Sequence, residues 1–274
     1  MDEWNGHGAF VTGGASGIGR ALAKALAARG VAVRVADLDA AGAERVATEC
    51  GSACSAVRLD VTDADAVRNE IERFAAGHGR LDFLFNNAGI GVGGESDEVP
   101  LAGWRSVIDV NLYGVLHGVL AAYPLMLRQG HGHIVNTASM AGLGPAPLLT
   151  PYALTKHGVV GLSTSLRIEA APRGVRVSVL CPGVIETPIL EARRPTGPPG
   201  HWPDVRRYLT SMTGPPYPVE KCAQETLAAV AANKAVIVLP GRARLGWRIG
   251  RLFPAVVERA MARALAKERA LRKV

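Results

Sequence analysis

Tyr152 and Lys156 stand four residues apart behind Thr150 and Pro151, an N-cap residue type followed by a proline suited to the first helical position. On a helix that spacing puts both side chains on one face. A free tyrosine titrates near ~10 and is a poor base at neutral pH. A lysine ammonium about 4 Å from the phenol is worth roughly 4 kcal/mol at an effective dielectric of about 20, before solvation costs are subtracted. The pair can therefore bring Tyr152 toward the operating pH and let it exchange a proton with a bound group.

A second constellation lies near the N-terminus. The run Thr12-Gly13-Gly14-Ala15-Ser16-Gly17-Ile18-Gly19 follows a short apolar stretch and opens an alanine-rich helix pattern. Glycines there permit a tight turn and let backbone N–H groups approach a pyrophosphate at a helix N-terminus. Taken alone, the loop reads equally as a strand-to-helix turn with no ligand. The next apolar run ends Val35-Ala36-Asp37, where a carboxylate accepts bonds from adenosine ribose hydroxyls and repels a 2′-phosphate. Neither Ser16 nor Leu38 supplies the positive charge a phosphate would want, which favours NAD over NADP. Otherwise Asp37 only begins a turn with Asp39. Asp60, closing the third run, either meets an adenine edge or merely leads a helix.

The TGxxxGxG loop at Thr12 to Gly19, the Asn86-Asn87-Ala88-Gly89 run and Tyr152-xxx-Lys156 together resemble a short-chain dehydrogenase/reductase over roughly residues 8 to 240. The resemblance implies a catalytic tetrad of Asn111, Ser139, Tyr152 and Lys156. It also implies a cofactor set of Gly13, Ser16, Gly17, Ile18, Gly19, Asp37, Asp60, Val61, Asn87, Ala88, Gly89, Tyr152, Lys156, Pro182, Gly183, Ile185 and Thr187. Within that set, Pro182-Gly183 and Thr187 resemble the segment that holds the nicotinamide carboxamide.

The implied reaction moves a hydride between NAD and a secondary alcohol or ketone. In oxidation the tyrosinate takes the hydroxyl proton as hydride leaves the carbinol carbon for the nicotinamide C4. Ser139 donates to the same oxygen. Asn111, in a helix read from Leu101 to Arg128, anchors a water linking Lys156 to solvent or is simply structural. Ile90, Val92, Met140, Leu143, Leu148 and Leu149, placed by resemblance beside the reacting carbon, suit an apolar substrate better than a sugar, unless several of them pack into the core. Two other functions stay open: an NADPH-dependent ketone reductase, and a dinucleotide-binding sensor or scaffold without turnover.

The elements that must position these residues alternate short β-branched runs with longer helical patterns, the mark of βαβ units. A Rossmann-like, doubly wound parallel sheet with helices on both faces follows. The strands read as 9–12, 32–36, 53–59, 83–86, 134–137, 176–180 and 236–239. Gly30 ends the first helix, Asp39 caps the second, and Thr62 caps a third that closes at Gly77 and Gly79. Residues 1–240 form one domain with a lid at about 187–218, which holds eight of the chain's 17 prolines and the pairs Arg193-Arg194 and Arg206-Arg207. Those arginines either receive an acidic group or are solvated, and the second reading is preferred.

Of 274 residues, 48% are hydrophobic and 20% charged, which excludes a disordered polymer. The net charge of +7 is not spread along the chain. Residues 241–274 carry ten Lys/Arg against Glu258 and Glu268, leaving the first 240 residues at −1. Basic charge therefore marks the tail and not the body.

In that tail Ile249, Leu252, Phe253, Val256, Val257, Ala260, Met261, Ala264 and Leu265 recur at helical spacing opposite arginines, with a kink or restart expected at Pro254. The tail docks on its own body or a neighbouring subunit, lies as a peripheral helix on an anionic membrane, or meets nucleic acid, in that order of preference. A homodimer or homotetramer is implied by the resemblance. The four cysteines form no CxxC pair and the seven histidines no ligand spacing, so no metal is assigned. With no secretory pattern in residues 1–8 and no uninterrupted apolar run of membrane-span length, the expected location is cytoplasmic.

Overall fold

The computed structural model describes residues 4–191 and 204–271. The β-branched runs form β1 (Gly8–Thr12), β2 (Ala32–Asp37), β3 (Ser55–Arg58), β4 (Phe83–Asn86), β5 (Gly132–Thr137), β6 (Val175–Pro182) and β7 (Val236–Leu239). All pairings are parallel, in the order β3-β2-β1-β4-β5-β6-β7. The order reverses between β1 and β4, and the chain leaves these neighbours in opposite directions at their carboxyl ends. A crevice opens there, where ligands of such sheets bind.

Helices α1 (Gly17–Ala27), α2 (Ala40–Cys50), α3 (Ala64–His78), α4 (Leu101–Ile108), α5 (Gly114–Gln129), α6 (Thr150–Ala170), α7 (Val205–Thr213) and α8 (Val219–Ala231) connect the strands. Alternate side chains of β1 serve opposite faces. Val11 packs with Leu22, Leu26 and Leu227 of α1 and α8, whereas Phe10 packs with Ile71 and Met126 of α3 and α5. Burial on both faces is why the strands read as apolar runs and not as alternating ones.

Several boundaries differ from the expectation. The third strand spans four residues. Asp63, not Thr62, caps α3 by accepting from the Ala66 N–H at 2.9 Å, because Thr62 is bound to Asp60 instead. Asp39 caps α2 through Gly42, and Gly79 closes α3 in the left-handed region. Thr150 lies inside α6 and makes no cap; its hydroxyl accepts from Ser96 at 2.9 Å.

The helix expected over 101–128 is α4 and α5 joined by a π-helical turn, Asp109–Tyr113. By length and hydropathy Leu101–Gln129 is apolar enough to cross a membrane, although Arg105, Asp109 and Arg128 interrupt its apolar run. Its buried face, including Val107, Val119, Ala122 and Met126, packs in the body of the protein.

After β7 the chain forms α9 (Gly241–Leu252) and restarts at Pro254 as α10 (Pro254–Leu271). These helices fold back over the body. Arg269 of α10 donates two bonds of 2.8 Å to Glu95, and Arg207 of α7 donates to the buried Glu268 at 2.9 Å. Arg206 is held by Glu186 and Glu191, so its charge is met within the protein. The Arg193-Arg194 pair lies outside the described residues.

Candidate active site

The glycine loop turns where β1 ends. Gly13 has φ +64°, and a Cβ there would come 2.7 Å from the Ala88 Cα; one on Gly19 would come 2.1 Å from the Gly13 carbonyl oxygen. Only glycine lets α1 begin this close to the ends of β1 and β4. The two ends are tied together by Thr12, whose hydroxyl accepts from the backbone N–H groups of Asn87 and Ala88 at 3.0 and 3.1 Å. Asn87 returns its amide to the carbonyls of Thr12 and Gly13, both at 3.3 Å. A rigid loop follows, with its helix N-terminus facing the crevice.

At the end of β2, the Asp37 carboxylate accepts from the Ala15 N–H at 2.9 Å and the Asp39 N–H at 3.0 Å. It thus steadies the loop and begins the turn toward Asp39 while also facing the crevice. Asp60 accepts from the backbone and hydroxyl of Thr62, and these bonds hold its carboxyl below the usual range.

On the opposite wall, α6 carries Tyr152 and Lys156. Its backbone passes so close to the turn after β5 that a Cβ on Gly142 would lie 2.4 Å from the Lys156 carbonyl oxygen. That contact brings Ser139 to Tyr152. The Lys156 side chain is buried, with Nζ donating to the Thr137 carbonyl at 2.9 Å and lying 5.4 Å from the centre of the Tyr152 ring.

Burial pushes the phenol of Tyr152 up to about 12, opposed by its hydrogen bond with Ser139, and brings Lys156 down to about 8. This corrects the expectation that the lysine by itself brings Tyr152 toward the operating pH. The phenol loses more by leaving water than it gains from an ammonium engaged elsewhere.

Asn111 does not reach the crevice wall. Fully buried in the π-helical turn, it accepts from the Ile90 N–H at 2.8 Å and donates to the Ile90 carbonyl at 2.9 Å. It clamps the loop after β4 behind the site, with both polar atoms used. A π-turn swings an asparagine inward where a regular helix would aim it elsewhere, and such turns concentrate at functional sites.

The crevice is a cavity of about 1630 Å³. This exceeds the roughly 300–1,000 Å³ of ordinary small-molecule sites and leaves room for a dinucleotide and a substrate together. Its wall contains Gly13, Ser16, Gly17, Ile18, Asp37, Asp60, Val61, Asn87, Ala88, Gly89, Ser139, Tyr152, Lys156, Pro182, Gly183, Ile185 and Thr187. Of the expected cofactor residues Gly19 alone lies off the wall, acting through packing. The residues fit a dinucleotide: a glycine turn that a Cβ would obstruct, a helix N-terminus, a carboxylate at the end of β2 and a polar trio at the far end.

The short chain dehydrogenase family profile matches residues 7–197. The chain belongs to the short-chain dehydrogenase/reductase family. It is an oxidoreductase of the kind that acts on alcohols with a nicotinamide dinucleotide. Cyclohexanol dehydrogenase of Acinetobacter sp. (strain SE19) is 37% identical over 193 residues, covering 69% of this chain and 77% of that protein. D-threitol dehydrogenase of Mycolicibacterium smegmatis is 37% identical over 244 residues, covering 86% and 92%. The crystal structure of a short chain dehydrogenase/reductase from Burkholderia phymatum in complex with NAD superposes with a TM-score of 0.85 at 31% identity, covering 93% of this chain and 96% of that one.

The part of the cavity beyond Tyr152 departs from what the motifs of this dehydrogenase suggested. Ile90, Val92, Met140, Leu143 and Leu149 line it as expected, but Leu148 does not. Leu148 is buried with φ +64°, and its carbonyl accepts from Gly94. Val205, Leu209 and Met212 of α7 and Trp247, Val257 and Met261 of the tail extend the wall, with Arg242 and Glu258 as charged residues among them. The tail's helical periodicity announced an apolar face but not what that face would cover.

Proposed function

We propose that the protein is an NAD-dependent oxidoreductase that interconverts an apolar secondary alcohol and its ketone, with Tyr152 as the acid/base. The observation that carries this reading is the convergence of Tyr152, Ser139 and Lys156 on one cavity whose opposite reach ends at Asp37. Gly13, Ser16, Gly17 and Ile18 would hold the pyrophosphate, Asp37 the adenosine ribose, and Pro182, Gly183, Ile185 and Thr187 the nicotinamide end. Bound NAD supplies the hydride acceptor and, when oxidised, a positive charge.

The chain's own groups do the rest. Ser139 donates to the substrate oxygen, and Tyr152 takes its proton in oxidation or returns it in reduction. Lys156 stabilises the tyrosinate through its charge. Asn111 is a positioning residue that acts through Ile90. NAD is preferred to NADP because a carboxylate at the end of β2 opposes a 2′-phosphate.

The apolar wall beyond Tyr152 supports a substrate closer in character to cyclohexanol than to a polyol such as threitol. Absorbance of reduced nicotinamide with a panel of secondary alcohols tests the reading: turnover with NAD on apolar members supports it, and turnover confined to NADP or to polyols contradicts it.

A homo-oligomer is proposed as well. Leu120 of α5 and Ile168 of α6 are 62% and 76% exposed, apolar surface that a second copy would cover. Light scattering of the purified chain reads the subunit number, and a monomer would exclude this.

A further inference from the structure

Helices α9 and α10 present two opposed faces. The inward one, with Trp247, Gly250, Val257 and Met261, lines the apolar end of the cavity. The outward face of α9 carries Leu245, Ile249 and Leu252, one stripe at helical spacing, which Phe253 and Val256 continue across the joint. Leu252 and Phe253 are 73% and 59% exposed. Arg248 and Arg251 project from the same helix, Arg251 with its guanidinium 5.5 Å from the centre of the Trp247 ring. On α10, Arg259, Arg263 and Lys267 recur every four residues, all exposed. Among the described residues none of these five cations has a carboxylate within 4 Å. Of the tail's two acids, Glu268 is held by Arg207.

We propose that this outward face rests on an anionic lipid surface, with the leucines and Phe253 sunk among the headgroups and the arginines on their phosphates. Apolar side chains beside a dense row of cations without carboxylate partners are what an interfacial helix presents. A second copy of the chain fits worse, because pairing the face with itself would set five cations against five. Residues 1–240 sum to only −1, so the body carries little net negative charge to draw the face. Nucleic acid would satisfy the arginines but leave Leu245, Ile249, Leu252 and Phe253 in water.

The geometry also refines the substrate class, a step that rests on the proposed function. The helices that would touch lipid are the ones whose inner face walls the substrate cavity. An alcohol or ketone dissolved in the bilayer would need to pass only their edge to reach Tyr152.

The test is co-sedimentation of the full chain with phosphatidylcholine vesicles, with and without phosphatidylglycerol, in the absence of cofactor and substrate. The chain should sediment only with the anionic vesicles and be released by high salt. The double variants Leu252→Glu/Phe253→Glu and Arg259→Glu/Arg263→Glu change exposed residues off the cavity wall. Each should lower vesicle partitioning by at least about tenfold while turnover of a water-soluble alcohol stays at the wild-type level. Failure of the wild type to sediment with anionic vesicles overturns the proposal, as does undiminished binding by both variants. A smaller subunit number for Leu252→Glu/Phe253→Glu in light scattering would assign the face to a second copy, and duplex DNA binding lost in Arg259→Glu/Arg263→Glu without vesicle binding would assign it to nucleic acid. Because the assay needs no turnover, absence of NAD-linked activity would count against the function and not against the membrane contact.

Discussion

Lys156 gives its ammonium to the Thr137 carbonyl at 2.9 Å and stands 5.4 Å from the centre of the Tyr152 ring. The phenol is pushed up to about 12 by burial, so Tyr152 is protonated at neutral pH and ready to donate. Alcohol oxidation needs the opposite form. Its kcat/KM should therefore climb with pH from neutrality into the alkaline range, with the inflection below the tyrosine's unliganded value because the oxidised nicotinamide's charge favours tyrosinate. Ketone reduction uses the protonated form and should fall over the same alkaline range. Replacing Lys156 with Met should lower kcat by roughly a hundredfold and move the oxidation inflection upward. A pH-independent oxidation rate would exclude Tyr152 as the titrating base.

Asp37 has two tasks that one experiment separates. It steadies the glycine loop through Ala15, and it faces the cavity at the end of β2. Loop damage alone would weaken NAD and NADP equally. Loss of a ribose contact and of repulsion would not. Asp37→Ala should raise the KM for NAD by about tenfold or more and improve NADP, measured as the ratio of the two kcat/KM values. An unchanged ratio would leave Asp37 with the loop alone.

Trp247 lies on the cavity wall far from the glycine loop and from Tyr152 in sequence. Its truncation to alanine should raise the KM of bulky apolar alcohols by about tenfold, through lost apolar contact, while kcat on small alcohols is kept. Equal effects on small and bulky substrates would show that the tail supports folding and not recognition.

His133 is buried on β5 against the Ser178 hydroxyl at 2.8 Å, and desolvation, with Arg176 and Arg167 nearby, brings it down to about 3. The unfolded chain takes this proton near 6.5 and the folded chain near 3. Between those values the unfolded state binds more protons, so stability from this group is whole above about pH 6.5 and is lost as pH falls toward about 3. The limiting slope is roughly 1.4 kcal/mol per pH unit. In urea unfolding across that window, His133→Asn should show a shallower acid limb than the wild type. Parallel limbs would exclude the burial of a neutral His133 as a cause of acid loss.

The sheet was legible in the sequence because each strand is buried on both faces, and its apolar run survives without context. The site was legible where chemistry is local: the glycine turn, Asp37 at a strand end, Tyr152 and Lys156 one helical turn apart. Long-range contacts were not. Glu95 and Arg269 are 174 positions apart, and nothing near either announces the other. Asn111 was recognisable by type, but the π-turn that aims it at Ile90 arises from packing between α4, α5 and α6. The Lys156 bond to Thr137 depends on how α6 meets β5, so spacing alone overstated the lysine's influence on the tyrosine.

Tyr152 is proposed as the acid/base of an NAD-linked reaction on apolar alcohols. This role is tested most directly by comparing Tyr152→Phe with the wild type, following reduced nicotinamide by absorbance and NAD affinity by calorimetry. The variant should bind NAD with wild-type affinity and turn over at least about a hundredfold more slowly. A variant that binds NAD normally and oxidises the same alcohols at the wild-type rate would contradict this role.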